Sequence, residues 1–312
     1  MKKILKYFLE YQRKHFDLKL YLTIALFLAG CFSFNYYYDF EDSVLDRYNG
    51  QFRDTIHMFF WQGIPFLSVC FILYAFGIKG WLKQPRFWIM FLVGFSILAI
   101  DRSFYPYPFF KAHFEFKDYI FISKTVRWSS SLVLTVLPLF LIYKIAEKDH
   151  PKIYYGLSPE RFDARPYFIL LGLAVLIVGI GSFFGDLQEY YPRYQFSQGD
   201  HFAEKRGWSE YVTIFIYELA YGVDFIAVEM FFRGFLIFAF SRTLGGYAVL
   251  PMIATYAVLH FGKPLTEAVS SVFGGYLLGI LSYNTRSVWG GIMIHMGIAW
   301  LMELFGYLHR LM

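Results

Sequence analysis

Nine predominantly apolar stretches divide the chain: residues 20–38, 56–78, 87–104, 128–146, 167–185, 211–241, 246–262, 266–283 and 288–308. Each is near the ~20 residues that cross the hydrocarbon core of a bilayer as a helix. Because 87–104 is interrupted by Asp101 and Arg102, the pattern predicts eight or nine spans, an all-α polytopic transmembrane helical bundle. One stretch departs from the pattern. Residues 211–241 carry Glu218, Asp224, Glu229 and Arg233 where a lipid-facing helix should carry none. At 100° per residue Glu218 and Glu229 fall ~20° apart, and Arg233 lies one turn past Glu229 in (i, i+4) register. Ionisable groups at such depth cost at least ~2.5 kcal/mol each on insertion scales, so they usually face a bundle interior or a wet cavity. Two readings follow: a buried ion pair that staples helices, or a site.

Composition agrees with the membrane reading, since 57% hydrophobic and 23% aromatic residues are too many for a soluble globule. The net charge of +5 forms no basic stripe, and nucleic-acid binding is excluded as a reading. Cys31 and Cys70 are too few and too isolated for a disulfide framework or a thiolate metal site. Basic residues in the first nineteen positions (Lys2, Lys3, Lys6, Arg13, Lys14 and Lys19) and in the loops around Lys79, Lys83, Arg86, Arg242 and Arg286 predict a cytoplasmic N-terminus in a bacterial cytoplasmic (inner) membrane. Leu28-Ala29-Gly30-Cys31 has the look of a lipoprotein cleavage box. However, nineteen residues including Glu10 and Asp17 precede its apolar core, and the core continues past it, so an uncleaved span is the expectation. Tyr36, Tyr37, Tyr38, Tyr105 and Tyr107 fit interfacial belts, and Lys124 and Arg127 are expected to snorkel to the outer interface. The charged, proline-bearing stretch 158–166 separates an N-terminal transmembrane region of about four spans, residues 1–157, from a second half, 158–312, that holds whatever looks chemical.

In that second half His260 ends an apolar span, followed by Gly262 and Pro264, which stop a helix; a lone histidine there is commonly a cap. Thr266 is a plausible N-cap with Glu267 in the first turn. Ser271, Gly275 and Gly279 make a small face against which another helix can pack closely. His295 lies near the middle of the last span. Two histidines, Glu229 and Arg233 within one half-chain raise the chance that all face one polar cavity.

The order Glu-x-x-x-Arg-Gly, aromatic-x-x-x-His-Phe, a Gly/Ser-rich helix and Gly-Gly-Ile-x-Ile-His resembles the CAAX-processing and bacteriocin-processing (CPBP, or Abi) family of intramembrane proteases, over roughly residues 160–308. The resemblance implies an all-helical core in which a glutamate and the second-motif histidine activate water for peptide hydrolysis, while a late His and Asn stabilise the oxyanion. By position it carries over to Glu229, His260 and His295 as catalytic groups and to Arg233 as support, with Tyr256 at the aromatic position. Two positions depart from it. Val228 stands where the family has its first glutamate, and Ala299 where it has Asn or Asp. Asp224, one turn before Val228 and ~40° from it, and Glu267, seven residues past His260, are the possible substitutes. Glu229, His260 and His295 also have the composition of a catalytic zinc set, without a His-Glu-x-x-His spacing; that is the minority alternative to a site with no cofactor. The expected partners are the bilayer and a membrane-anchored protein or peptide substrate. A catalytically impaired relative that binds a partner membrane protein is the alternative function, and a secondary transporter lacks the broken-helix pairs that would support it.

Overall fold

The computed structural model describes residues 2–147, 153–158, 162–183 and 185–311. Every regular element among them is helical, and fifteen are α-helices. The charged boundary expected at 158–166 falls partly outside the described residues, at 159–161.

The N-terminal region begins with α1 (Lys2–His15) and α2 (Leu18–Tyr38). The basic helix α1 is packed onto the rest of the bundle. It docks by Tyr11, which is buried and donates its hydroxyl to the Gly246 carbonyl at 2.9 Å, and by Gln12, which donates to the Tyr276 hydroxyl at 2.7 Å. Asp17 caps α2 by accepting from the Leu20 N–H at 3.0 Å, and the helix runs unbroken through Cys31. Next come α3 (Phe52–Ala75), α4 (Pro85–Arg102), α5 (Tyr107–His113), α6 (Phe116–Ser129) and α7 (Leu137–Ala146). The second half adds α8 (Arg165–Gly181), α9 (Gly185–Tyr190), α10 (Gly199–Lys205), α11 (Glu210–Glu229), α12 (Ile237–Leu244), α13 (Val249–Val258), α14 (Leu265–Thr285) and α15 (Trp289–Leu311).

Among the described residues, six helices are long and apolar enough to cross a membrane: Leu18–Tyr38, Phe52–Ala75, Pro85–His113, Phe116–Ala146, Leu265–Thr285 and Trp289–Leu311. Eight or nine were expected from the apolar stretches. The shortfall lies in the second half. There α8 has 17 residues and α13 only 10, a rise of ~15 Å against a core of ~30 Å. The stretch 211–241 is not a lipid-facing rod either. It is the axis of the molecule: α11 passes through a π-helical turn, Met230–Leu236, into α12, and every residue of that turn is buried.

Close packing around this axis relies on small residues. The Gly94 Cα of α4 lies against the Phe235 ring, and Gly275 of α14 against the Tyr256 ring of α13. Gly275 and Gly279 belong to the small-residue face of α14, and α13 is the helix that fills it. Helix α15 packs on α8 and α11, and α6 covers the other flank of α11. The result is a half-length helix, α13, whose C-terminal turn ends inside the bundle, with His260 and Phe261 both buried.

Candidate active site

Three elements bring the motif residues together. The π-helical turn after Glu229 widens the backbone locally, as such turns do at functional sites, yet it leaves Arg233 Nη1 3.0 Å from Glu229 Oε1. Neither side chain has any exposed surface. The approach is off-axis: among the described residues none of the three Arg233 nitrogens, nor Glu229 Oε2, completes a hydrogen bond. The contact is therefore Coulombic. The guanidinium gains a second stabilising contact by stacking over the Tyr256 ring, 3.8 Å from its centroid.

From α15, His295 Nδ1 donates to Glu229 Oε1 at 3.1 Å. The carboxylate reaches it because Gly291, one turn earlier, has no side chain; a Cβ there would strike Glu229 Oε2. With Nδ1 engaged, Nε2 carries the lone pair and faces the Tyr256 hydroxyl at 3.4 Å. His260 is held in the same tautomer by a different partner. A carbonyl oxygen only accepts, so the 2.9 Å contact between His260 Nδ1 and the Tyr256 carbonyl puts the proton on Nδ1 and leaves Nε2 free. The two imidazoles are nearly parallel, with centroids 6.4 Å apart and planes at 21°.

Both rings line a cavity of about 340 Å³, with Arg233, Tyr256 and Ala299. Its walls toward α8 and α14 are apolar, including Leu173, Ile177 and Leu278. At its rim Lys263 Nζ is 2.6 Å from Glu267 Oε1, and Tyr191 donates to Glu267 Oε2 at 3.0 Å. Glu267 is thus at the cavity, but committed to Lys263 and Tyr191.

Asp224 goes elsewhere. The helical wheel puts it on the side of Val228, but its carboxylate turns to Arg102 of α4, 3.6 Å away, and it does not line the cavity. A role for Asp224 as substitute base has no geometric support. Val228 is buried in the main apolar core, and Ala299 presents only a methyl to the cavity. For the zinc alternative, among the described residues no three His, Cys, Asp or Glu side chains are placed together to hold a metal ion.

Sequence reasoning missed Tyr256 as more than an aromatic spacer, although its place in the second motif was the available signal. It touches Arg233, His295 and His260, through its ring, hydroxyl and carbonyl respectively. Lys263 and Tyr191 were also missed. Lys263 stands three residues past His260, while Tyr191 arrives from a distant loop with no local signal.

Residues 211–301 match the family described as Rce1-like, type II CAAX prenyl endopeptidase. No curated protein and no solved structure matches the chain. Over the matched segment, which holds Glu229, Arg233, His260 and His295, the chain is similar to that family, in agreement with the CPBP resemblance of the motifs. The match supports a multi-pass membrane endopeptidase of the CAAX type in general, acting on a membrane-embedded protein or peptide.

Proposed function

We propose that the cavity between α13, α14 and α15 hydrolyses membrane-proximal peptide bonds with water activated by histidine and glutamate. The observation that carries this reading is the 3.1 Å contact between Glu229 and His295 Nδ1, which turns His295 Nε2 toward the space that His260 also lines. A carboxylate that orients an imidazole and stabilises its charged form is the arrangement of a general base. In this proposal His295 takes a proton from water as the oxygen adds to the scissile carbonyl carbon. The proton that His295 has taken then passes to the departing amine as the C–N bond breaks, while His260 Nε2, which carries a lone pair, accepts the second hydrogen of the attacking water and so orients it. The Tyr256 hydroxyl is the donor nearest the developing oxyanion. Arg233 cannot lose its charge and holds Glu229 ionised from behind, so its part is positioning.

The apolar walls on α8 and α14 suit a membrane-anchored segment entering sideways from lipid. The substrate is then a membrane protein or lipid-proximal peptide in a cytoplasmic membrane. With a cytoplasmic N-terminus, the cavity rim at Lys263, bonded to Tyr36 near the far end of α2, faces away from the cytoplasm. The test is cleavage of a membrane-anchored fluorogenic peptide by the reconstituted chain. Glu229→Gln and His295→Ala should each lower kcat/KM by ~10²-fold or more, the usual worth of a general base. Full activity in both variants would overturn the assignment.

A second reading has its own support in Val228 and Ala299. It holds that the chain is a catalytically impaired relative whose cavity retains a partner helix without cutting it. Val228 lies ~20° from Tyr221 on the α11 face, and Tyr221 lines the cavity, so a carboxylate at 228 would point toward it. Under this reading the native chain is inert, and Val228→Glu with Ala299→Asn gains cleavage.

A further inference from the structure

A second polar cavity, of about 290 Å³, lies on the opposite side of the C-terminal end of α13, walled there by Val258 and Leu259. Except for that wall it is built by the N-terminal half, outside the segment that carries the motifs. Its charges do not balance. Arg102 contacts Asp101 at 2.7 Å and Asp224 at 3.6 Å, and Arg127 lies 3.7 Å from Asp101, so two arginines are matched by two aspartates. Three further carboxylates, Glu41, Asp46 and Asp54, line the same space, and among the described residues none of them forms a salt bridge with a lysine or arginine; the basic side chain that acts on Asp54 is His57, one turn along α3.

The excess is aimed inward. Asp54 is 1% exposed and neither of its carboxylate oxygens has a hydrogen-bond partner among the described residues. Gln62, about two helical turns farther along α3 and 3% exposed, likewise leaves Oε1 without a donor. Buried acceptors without donors are costly, about 1–3 kcal/mol each and more when charged, and both point to a ligand that donates hydrogen bonds and carries positive charge. The neighbouring acids in the loop after α2 feel the same excess. Burial and then the charges of Asp46 and Asp42 push the Glu41 carboxyl up to about 8, and burial with Asp42 raises Asp46. The remaining walls are aromatic: Trp61, Trp128 and the stacked Tyr105 and Tyr107 rings, 4.8 Å apart. Aromatic faces favour an organic cation over a bare metal ion, and no metal-holding group of side chains exists here among the described residues.

We infer that this cavity binds a primary alkylammonium group, such as the head of a lysine side chain or a small amine, between Asp54, Asp46 and the aromatic walls. Since a water takes up ~30 Å³, the space accommodates a butylammonium-sized group with water beside it. The site stands independently of proteolysis in the motif cavity.

The test uses the full chain in detergent and n-butylammonium chloride as probe, with n-butanol and sodium chloride at matched concentration and ionic strength as controls. Trp61 and Trp128 supply the readout. The expected result is a saturable change in tryptophan emission and a rise in Tm with butylammonium alone, weakened at least tenfold in Asp54→Asn. Asp46→Asn, on an exposed turn where folding is not at stake, should weaken it in the same direction if Asp54→Asn fails to fold. No saturable response, an equal response to butanol or sodium, or wild-type binding in Asp46→Asn would each overturn the proposal. So would saturable binding of magnesium with none of butylammonium, because the site would then select a metal ion.

Discussion

The two polar cavities meet the C-terminal end of α13, one at Val258 and Leu259 and the other at His260 and Lys263, and differ in how their charges are settled. At the motif cavity the charges are matched: Glu229, buried behind the lining, by His295 and Arg233, and Glu267 by Lys263 and Tyr191, while His260 Nδ1 meets the Tyr256 carbonyl. In the acidic cavity neither Asp54 oxygen has a hydrogen-bond partner among the described residues, and only the more distant charge of His57 opposes it. A balanced set of buried groups can hold two imidazoles in one tautomer with both lone pairs turned to a common space, which suits proton transfer. An unbalanced set stores an electrostatic demand that a ligand can meet. Glu41 joins the two regions physically, since it lines the acidic cavity and accepts from the Gly262 N–H at 3.2 Å beside His260.

That contrast breaks most visibly in activity. His260→Ala should lower cleavage ~10²- to 10⁴-fold, while Asp224→Asn, whose partners are the Arg102 cluster and Ser131, should leave kcat within a factor of a few and change mainly Tm. Equal losses in a cleavage assay would mean that the two cavities act as one. Next in size is Arg233→Leu, which strands a buried carboxylate; removing one partner of such a pair costs ~3–5 kcal/mol, and folded yield in detergent should fall sharply. An unchanged yield and melting temperature would show that the pair contributes nothing. Smaller again is Gly291→Ala. Its methyl would press on the Glu229 carboxylate, and overpacking of this kind costs ~1–3 kcal/mol. The informative readout is an imidazole nitrogen chemical shift of His295, which should report loss of its carboxylate partner.

The smallest effect concerns Glu41. Its pKa in the fold, about 8, lies above the ordinary 4.5, so the folded state holds a proton that the unfolded chain releases first. The stability associated with this group is complete below about 4.5 and is lost as pH rises toward about 8. Glu41→Gln should flatten that part of a Tm-against-pH curve, and a curve identical to wild type would remove Glu41 from the account.

How much of this was legible in the sequence also divides along the two cavities. Glu229, Arg233, His260 and His295 were visible because ionisable groups are rare inside apolar stretches, and the (i, i+4) spacing survives the π-helical turn. The acidic cavity was not visible, since its residues come from α3, α4, α5, α6, the loops after α2 and α4 and the C-terminal end of α13. Arg127 shows the reason. Alone at the end of an apolar run it is expected to snorkel, yet it turns inward because Asp101, on another helix, is there to meet it. Asp224 fails likewise: a helical wheel gives its side, but Arg102 decides its direction. Among the described residues six helices have the length and apolarity of a span, against eight or nine apolar stretches in the sequence, because an apolar stretch enclosed by protein, such as Met230–Leu236, reads like one facing lipid.

The most direct test of the central claim is single-turnover cleavage of a membrane-anchored peptide by the native chain and by Glu229→Gln, each reconstituted in liposomes at equal folded concentration. The account predicts measurable cleavage by the native chain and a loss of ~10²-fold or more in the variant, with unchanged peptide binding. Cleavage at the same rate in both, or none by the native chain under conditions where Val228→Glu with Ala299→Asn does cut, would contradict it.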